Sequence, residues 1–186
     1  MQEQIICKSC GFIMAKRALR DKCPACGVPA RMFEPYVERM SPSRKRVLTL
    51  DLHPILVHFT QAFTATIPLL CLLALLGLPR IQAHVRSTIA VLGVALPLVV
   101  LLSFLAGVLD GKIRFRRVTT LLLKRKMLFG LALLLLACDI MTVILLRARM
   151  DTTTILSILA LSMPAVGCSS YLGILGVRLA NSAFPG

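Results

Sequence analysis

Four apolar stretches, at about residues 54–78, 89–109, 127–146 and 155–177, fill most of the chain beyond His53. Each reaches the roughly twenty residues that carry a helix across about 30 Å of hydrocarbon. No water is there to satisfy a backbone N–H or C=O, and a helix satisfies both within the segment. The pattern predicts an all-α membrane protein, a four-helix transmembrane bundle over residues 54–180, with a much smaller module ahead of it. Asp51 is placed to cap the first helix, and Pro54 is acceptable in its first turn. Pro68, Pro97 and Pro164 fall inside three spans and predict kinks there unless neighbours satisfy the freed carbonyls. Ala165, Ser169 and Gly173 recur every four residues along the last span, a smooth face suited to close packing within the bundle.

Charge sets the expected orientation. Of the 22 Lys and Arg, ten precede Pro54 and seven lie between Asp110 and Lys126, whereas residues 79–88 and 147–154 carry two each. The rich segments fall on one side of an even-span bundle, and the positive-inside rule puts that side, with both termini, in the cytoplasm. A formal net charge of +14 would suggest nucleic acid in a soluble chain. Beside apolar spans it reads as meeting anionic lipid and fixing topology, with no nucleic-acid partner. No apolar signal-peptide core precedes the first cysteines, so the N-terminal module is expected to be made and kept in the cytoplasm.

That module is organised by two Cys-x-x-Cys pairs, Cys7/Cys10 and Cys23/Cys26, with twelve residues between them and a glycine, Gly11 or Gly27, directly after each. Four soft ligands converging from two tight turns suit one tetrahedral metal. A glycine at the end of each turn takes positive φ and lets backbone N–H groups approach the sulfurs. The alternatives are unligated thiols or two disulfides, and a reducing cytoplasm weakens the second. Ile5 and Ile6 predict a short strand into Cys7. Phe12 and Ile13 are placed to pack over the metal, and Phe33 with Tyr36 to close a very small core. Residues 1–36 cannot bury enough apolar surface to fold alone, so the metal is expected to supply much of their stability. Residues 37–53 read as a basic linker, with Pro35 and Pro42 as breakers and Arg44, Lys45 and Arg46 as a run that anchors topology.

The run CKSCGF…DKCPACGVPARMF resembles the rubredoxin-like iron domain of rubrerythrins over about residues 5–36. The resemblance implies one iron, cycling between Fe2+ and Fe3+, held by Cys7, Cys10, Cys23 and Cys26, and transfer of single electrons. A structural zinc ribbon has the same ligand set, so Zn2+ stays open as the alternative. A second phrase, LHPILVHF, resembles the opening of a bacterial family of four-span membrane proteins of unknown function, marked by His-Pro-x-x-Val-His-Phe-Pro. His53, Pro54, Val57, His58 and Phe59 match, and Thr60 departs from the final Pro. The phrase AGVLDG at residues 106–111 also fits that family. This resemblance implies the fold and a bacterial cytoplasmic (inner) membrane, and no activity.

Asp139 stands near the middle of the third span, where a carboxylate is costly. It is expected to face the bundle, hydrogen-bonded or protonated, with Thr64, Thr66, Ser162 and Ser169 at similar depth on other spans. Cys71, Cys138 and Cys168 are expected as small core residues. His53 and His58 lie five residues apart, about 140° around a helix, so they cannot both be axial ligands of one haem. His84 belongs to the opposite edge, and no haem is expected within one protomer. His53 and His58 are placed instead at the cytoplasmic mouth with Asp110 and Lys124 to Lys126, a cofactor-binding cluster suited to a quinone headgroup or an anion. No nucleophile–base set or phosphate loop is recognisable, which points to an electron-transfer protein rather than a complete enzyme. The leading reading is a membrane-tethered one-electron carrier linking a soluble redox partner to the bilayer. The alternative is a structural zinc ribbon serving as a docking or sensing module on a transporter-like bundle.

Overall fold

A computed structural model describes residues 3–37, 41–115, 120–147 and 149–181. Arg39, Arg116 and Arg117, and the side chains of Arg44, Lys45, Arg114 and Arg178, all part of the charge argument, lie outside the described set. The chain forms two compact units, Met1–Lys45 with Gly176–Gly186 and Arg46–Leu175.

The first unit is built on β1 (Gln4–Cys7), the strand expected from Ile5 and Ile6. It is the centre of a three-stranded antiparallel sheet, flanked by β2 (Ile13–Ala15) and β3 (Phe33–Tyr36). The register sets Ile5 against Met14 on one side and Pro35 on the other. Pro35, expected as a breaker, lies inside β3, because an edge strand tolerates a missing N–H. The interior is very small: among the described residues of this unit, Ile5, Cys7 and Cys23 are the buried apolar side chains. Phe12 and Ile13, expected over the metal, are instead 40% and 39% exposed. A three-residue strand at the sheet edge has no second layer to hold them. Pro42 also starts rather than breaks a structure: α1 (Pro42–Leu48) opens on it, at a position whose N–H would have no helical partner.

The second unit is helical. Asp51, expected as a side-chain cap, takes a left-handed conformation at φ 48° and ψ 33° and makes no cap bond, so it forms a corner before α2 (Leu52–Leu75). After it come α3 (Gln82–Phe115), α4 (Leu121–Leu146) and α5 (Thr152–Asn181). All four helices from α2 onward are long and apolar enough to cross a membrane. The helices continue unbroken through Pro68, Pro97 and Pro164. Two caps escaped the sequence reading: Thr120 Oγ1 accepts from Leu123 N–H (3.4 Å), and the Asp151 carboxylate accepts from Thr154 N–H (2.8 Å).

The four helices touch in a ring. α2 packs on α3 and α3 on α4. The Phe129 and Tyr171 rings join α4 to α5, their centroids 4.5 Å apart. α5 returns to α2 through a reciprocal pair, in which Gln61 Nε2 donates to Ser169 O (2.9 Å) and Ser169 Oγ donates to Gln61 Oε1 (2.8 Å). Ile67, Leu96, Leu133, Ile140 and Ile158 fill the centre, with Cys71 among them and Cys168 against them. Ala165 and Ser169 are buried, as the small-residue spacing predicts. The outer face is leucine and valine: Val91, Leu69 and Leu98 are 68%, 64% and 60% exposed. A bundle facing water would carry charge there; this one is dressed for hydrocarbon.

Asp139 departs from expectation. It lies exposed on the outside of α4, because Leu133, Ala137 and Ile140 take the inward positions and Asp139 falls about 100° away from Ile140.

Candidate metal centre

The two Cys-x-x-Cys turns are built alike. In the first, Cys7 N–H donates to Phe12 O (2.9 Å) and Gly11 N–H to Cys7 O (2.8 Å). In the second, Cys23 N–H donates to Val28 O (2.8 Å) and Gly27 N–H to Cys23 O (2.9 Å). Gly11 and Gly27 sit at φ 74° and 77°, where a Cβ would be strained. Lys8 N–H to Met32 O (2.8 Å) and the bridge between Lys22 and Pro29 tie the two turns to the rest of the module.

These turns bring the four sulfurs together. Cys7, Cys10, Cys23 and Cys26 place their Sγ atoms within 4.8 Å of one another, and the Cys7–Cys26 and Cys10–Cys23 separations are both 3.8 Å. A tetrahedron with metal–sulfur bonds of about 2.3 Å has edges of about 3.8 Å, so the spacing fits one ion at its centre. All four are free thiols, which removes the paired disulfides. Cys7 and Cys23 are buried, Cys10 is half-buried and Cys26 is exposed, so the site opens to solvent on one side.

The surroundings act unequally on the sulfurs. At Cys10 the Phe12 N–H favours the thiolate, but lost hydration and hydrogen bonds with the other three thiols outweigh it and push the group up to about 12. At Cys23 burial raises the pKa, yet the N–H groups of Cys26 and Ala25 and the thiols of Cys26 and Cys10 overcome it, holding the group down to about 7. The Phe12, Ala25 and Cys26 amides thus point at ligand sulfur, the arrangement that stabilises negative charge on a thiolate cluster.

Residues 6–34 match the rubrerythrin rubredoxin-like domain. The match spans all four cysteines and both turns and stops short of every helix from α1 onward. No curated protein and no solved structure matches the chain. The donor set itself, four thiolates at tetrahedral spacing, suits iron or zinc.

In the second unit, the residues expected to form a cofactor cluster only partly converge. His53 Nδ1 lies 3.2 Å from Ser103 O, and Lys126 Nζ lies 3.0 Å from His53 Nε2. A carbonyl only accepts and an ammonium only donates, so the geometry suits a proton on Nδ1 toward Ser103 O and a lone pair on Nε2 toward Lys126 Nζ. Gly107 makes room for the ring, since a Cβ there would stand 2.8 Å from His53 Cε1. The phrases LHPILVHF and AGVLDG therefore meet at one contact. Asp110 lies one turn beyond Gly107 on α3. His58 does not join them: it is exposed, and its Nδ1 donates to Pro54 O of its own helix at 2.6 Å. His84 is exposed near the start of α3, about 28 Å of helix rise from Ser103. Ser103 was missed because a backbone carbonyl partner carries no sequence signal.

Proposed function

We propose that this chain is a membrane-tethered one-electron carrier. The observation behind the reading is the set of four sulfurs at tetrahedral spacing within a segment that matches the rubrerythrin rubredoxin-like domain. Iron bound there supplies a one-electron Fe2+/Fe3+ couple. The chain's own groups do the rest. Buried Cys7 and Cys23 close one side of the site to water, and the amides aimed at sulfur favour the more negative, reduced state. Exposed Cys26 is the short route to a docked partner. Arg17, Arg20 and Lys22, exposed on the connector between the pairs, favour an acidic soluble partner.

In this reading the helices are the bacterial four-span family suggested by His53, Pro54, Val57, His58 and Phe59, lying in the cytoplasmic membrane. The Lys and Arg distribution puts the metal module and both termini in the cytoplasm. Tethering raises the module's concentration at the bilayer. Lys126, held by His53, supplies N–H donors for a quinone headgroup at that end of the bundle. Protein in nanodiscs, chemically reduced and mixed with a water-soluble quinone, tests the whole chain of transfer. The carrier reoxidises, and Lys126→Met slows reoxidation while the metal spectrum stays unchanged. Equal rates would remove the quinone step, and a reporter after Gly186 reading external would remove the orientation.

A further inference from the structure

We propose that the metal module docks on anionic lipid through one basic end, formed by Arg17, Arg20, Lys22 and Arg31. The backbone gathers these residues. β2 runs directly into the turn Lys16–Ala18, which carries Arg17, and the connector continues through Arg20 to Lys22. There Ala30 N–H donates to Asp21 O (3.0 Å), and Lys22 bridges to Pro29. The turn Ala30–Met32 is thereby held beside the connector, and Arg31 comes to the same end as Arg20 and Lys22.

The charges of the module divide into two groups. Lys8 and Lys16 are neutralised by Glu34 (3.2 Å) and Glu3 (2.8 Å), which are two of the three acids in residues 3–37. Arg17, Arg20, Lys22 and Arg31 are all exposed, and among the described residues none of them has an ion pair or a side-chain hydrogen bond. Asp21 is the third acid and stands alone among these four cations. Even beside the negative charge of a thiolate-bound ion, cations stay in excess at this end.

Lipid is the occupant that this surface fits, because the chain keeps it within reach. Residues 37–51 join the module to α2 and span at most about 50 Å when extended. Headgroups therefore surround the basic end at high local concentration, with no diffusive encounter to wait for. Each Lys or Arg brought near an anionic surface strengthens the contact about fivefold. Such a contact needs charge and no fixed shape, which suits long, unpaired side chains on turns. Arg17, Arg20 and Lys22 are also the residues that would meet an acidic soluble partner, so lipid and partner compete for one face.

The proposal rests on α2 to α5 crossing a membrane and holds for iron or zinc at the cysteines. The test uses full-length protein in nanodiscs, with a donor dye on the N-terminal amine and an acceptor dye on lipid headgroups. Energy transfer then reads the ratio of docked to free module. That ratio should be high in a phosphatidylglycerol–phosphatidylcholine mixture and low in phosphatidylcholine alone. It should also fall at about 1 M salt, where the screening length shrinks to about 3 Å. Arg17→Gln, Arg20→Gln, Lys22→Gln and Arg31→Gln should each lower it about fivefold, and Asp21→Asn should raise it by a similar factor. Lys8→Gln combined with Glu34→Gln removes a neutral pair and should leave it unchanged. Retained metal shows that each variant is folded. Equal transfer in the two lipids would overturn the proposal. So would a lipid response that survives all four substitutions together, since the linker cations would then carry it, or a module that binds soluble polyglutamate and ignores both lipids.

Discussion

Replacing Cys23 with Ser removes one of four soft ligands from a module that has little else to hold it. Ile5 is the one buried apolar side chain among its described residues that is not a ligand, and full burial of an isoleucine is worth about 2–3 kcal/mol. Ordering the backbone costs about 1–2 kcal/mol for each residue, so a three-stranded sheet with one such side chain does not stand alone. The ion pairs Lys8–Glu34 (3.2 Å) and Lys16–Glu3 (2.8 Å) are exposed and contribute little. Metal in a site of this kind contributes about 10–16 kcal/mol of folding free energy, more than every other interaction in the module. Cys23→Ser should therefore lose its metal and unfold residues 3–37, leaving α2 to α5 intact. Elemental analysis and amide exchange on detergent-solubilised protein check both halves. One equivalent of metal retained with β1 still protected would refute the reasoning.

Three further outcomes follow from single contacts. Gly27→Ala places a Cβ at φ +77° with no atom within 4 Å, so its cost is backbone strain alone. At about 1–2 kcal/mol, this is roughly a five- to thirtyfold loss of metal affinity in chelator competition. Gly107→Val drives a side chain into the His53 ring and should cost the helical unit about 1–3 kcal/mol in thermal unfolding, with the metal spectrum unchanged. Asp151 is held below its usual 3.8 by the Thr154 hydroxyl and then the Thr154 N–H. Its contribution is complete above that usual value and is lost as pH falls through the lowered one. Asp151→Asn should flatten the acid limb of the melting curve, and an unchanged limb would remove Asp151 as its cause.

The cysteine site could be read in the sequence because its geometry is local: two turns of five residues, each closed by a glycine, set the ligand positions almost without help from the rest of the chain. The helices were legible for a different reason, since hydrocarbon forces every long apolar stretch into the same backbone. Which way a side chain points on such a helix was not. Asp139 was expected inward on cost alone, but its position is fixed by the register of Leu133, Ala137 and Ile140. His53 and His58 looked alike in sequence and have separate partners, one across the bundle and one on its own helix. Asp51 failed as a cap because α1 ends just before it and the chain must turn a corner there. Phe12 stayed exposed because the module has no second layer.

The carrier reading turns on the identity of the ion at Cys7, Cys10, Cys23 and Cys26. The direct measurement is elemental analysis of the purified full-length protein together with its visible spectrum before and after a one-electron reductant. An iron carrier has one iron per chain and a red chromophore that bleaches on reduction and returns in air. One zinc per chain with no visible absorption would contradict electron transfer and leave a structural ribbon on a four-helix bundle.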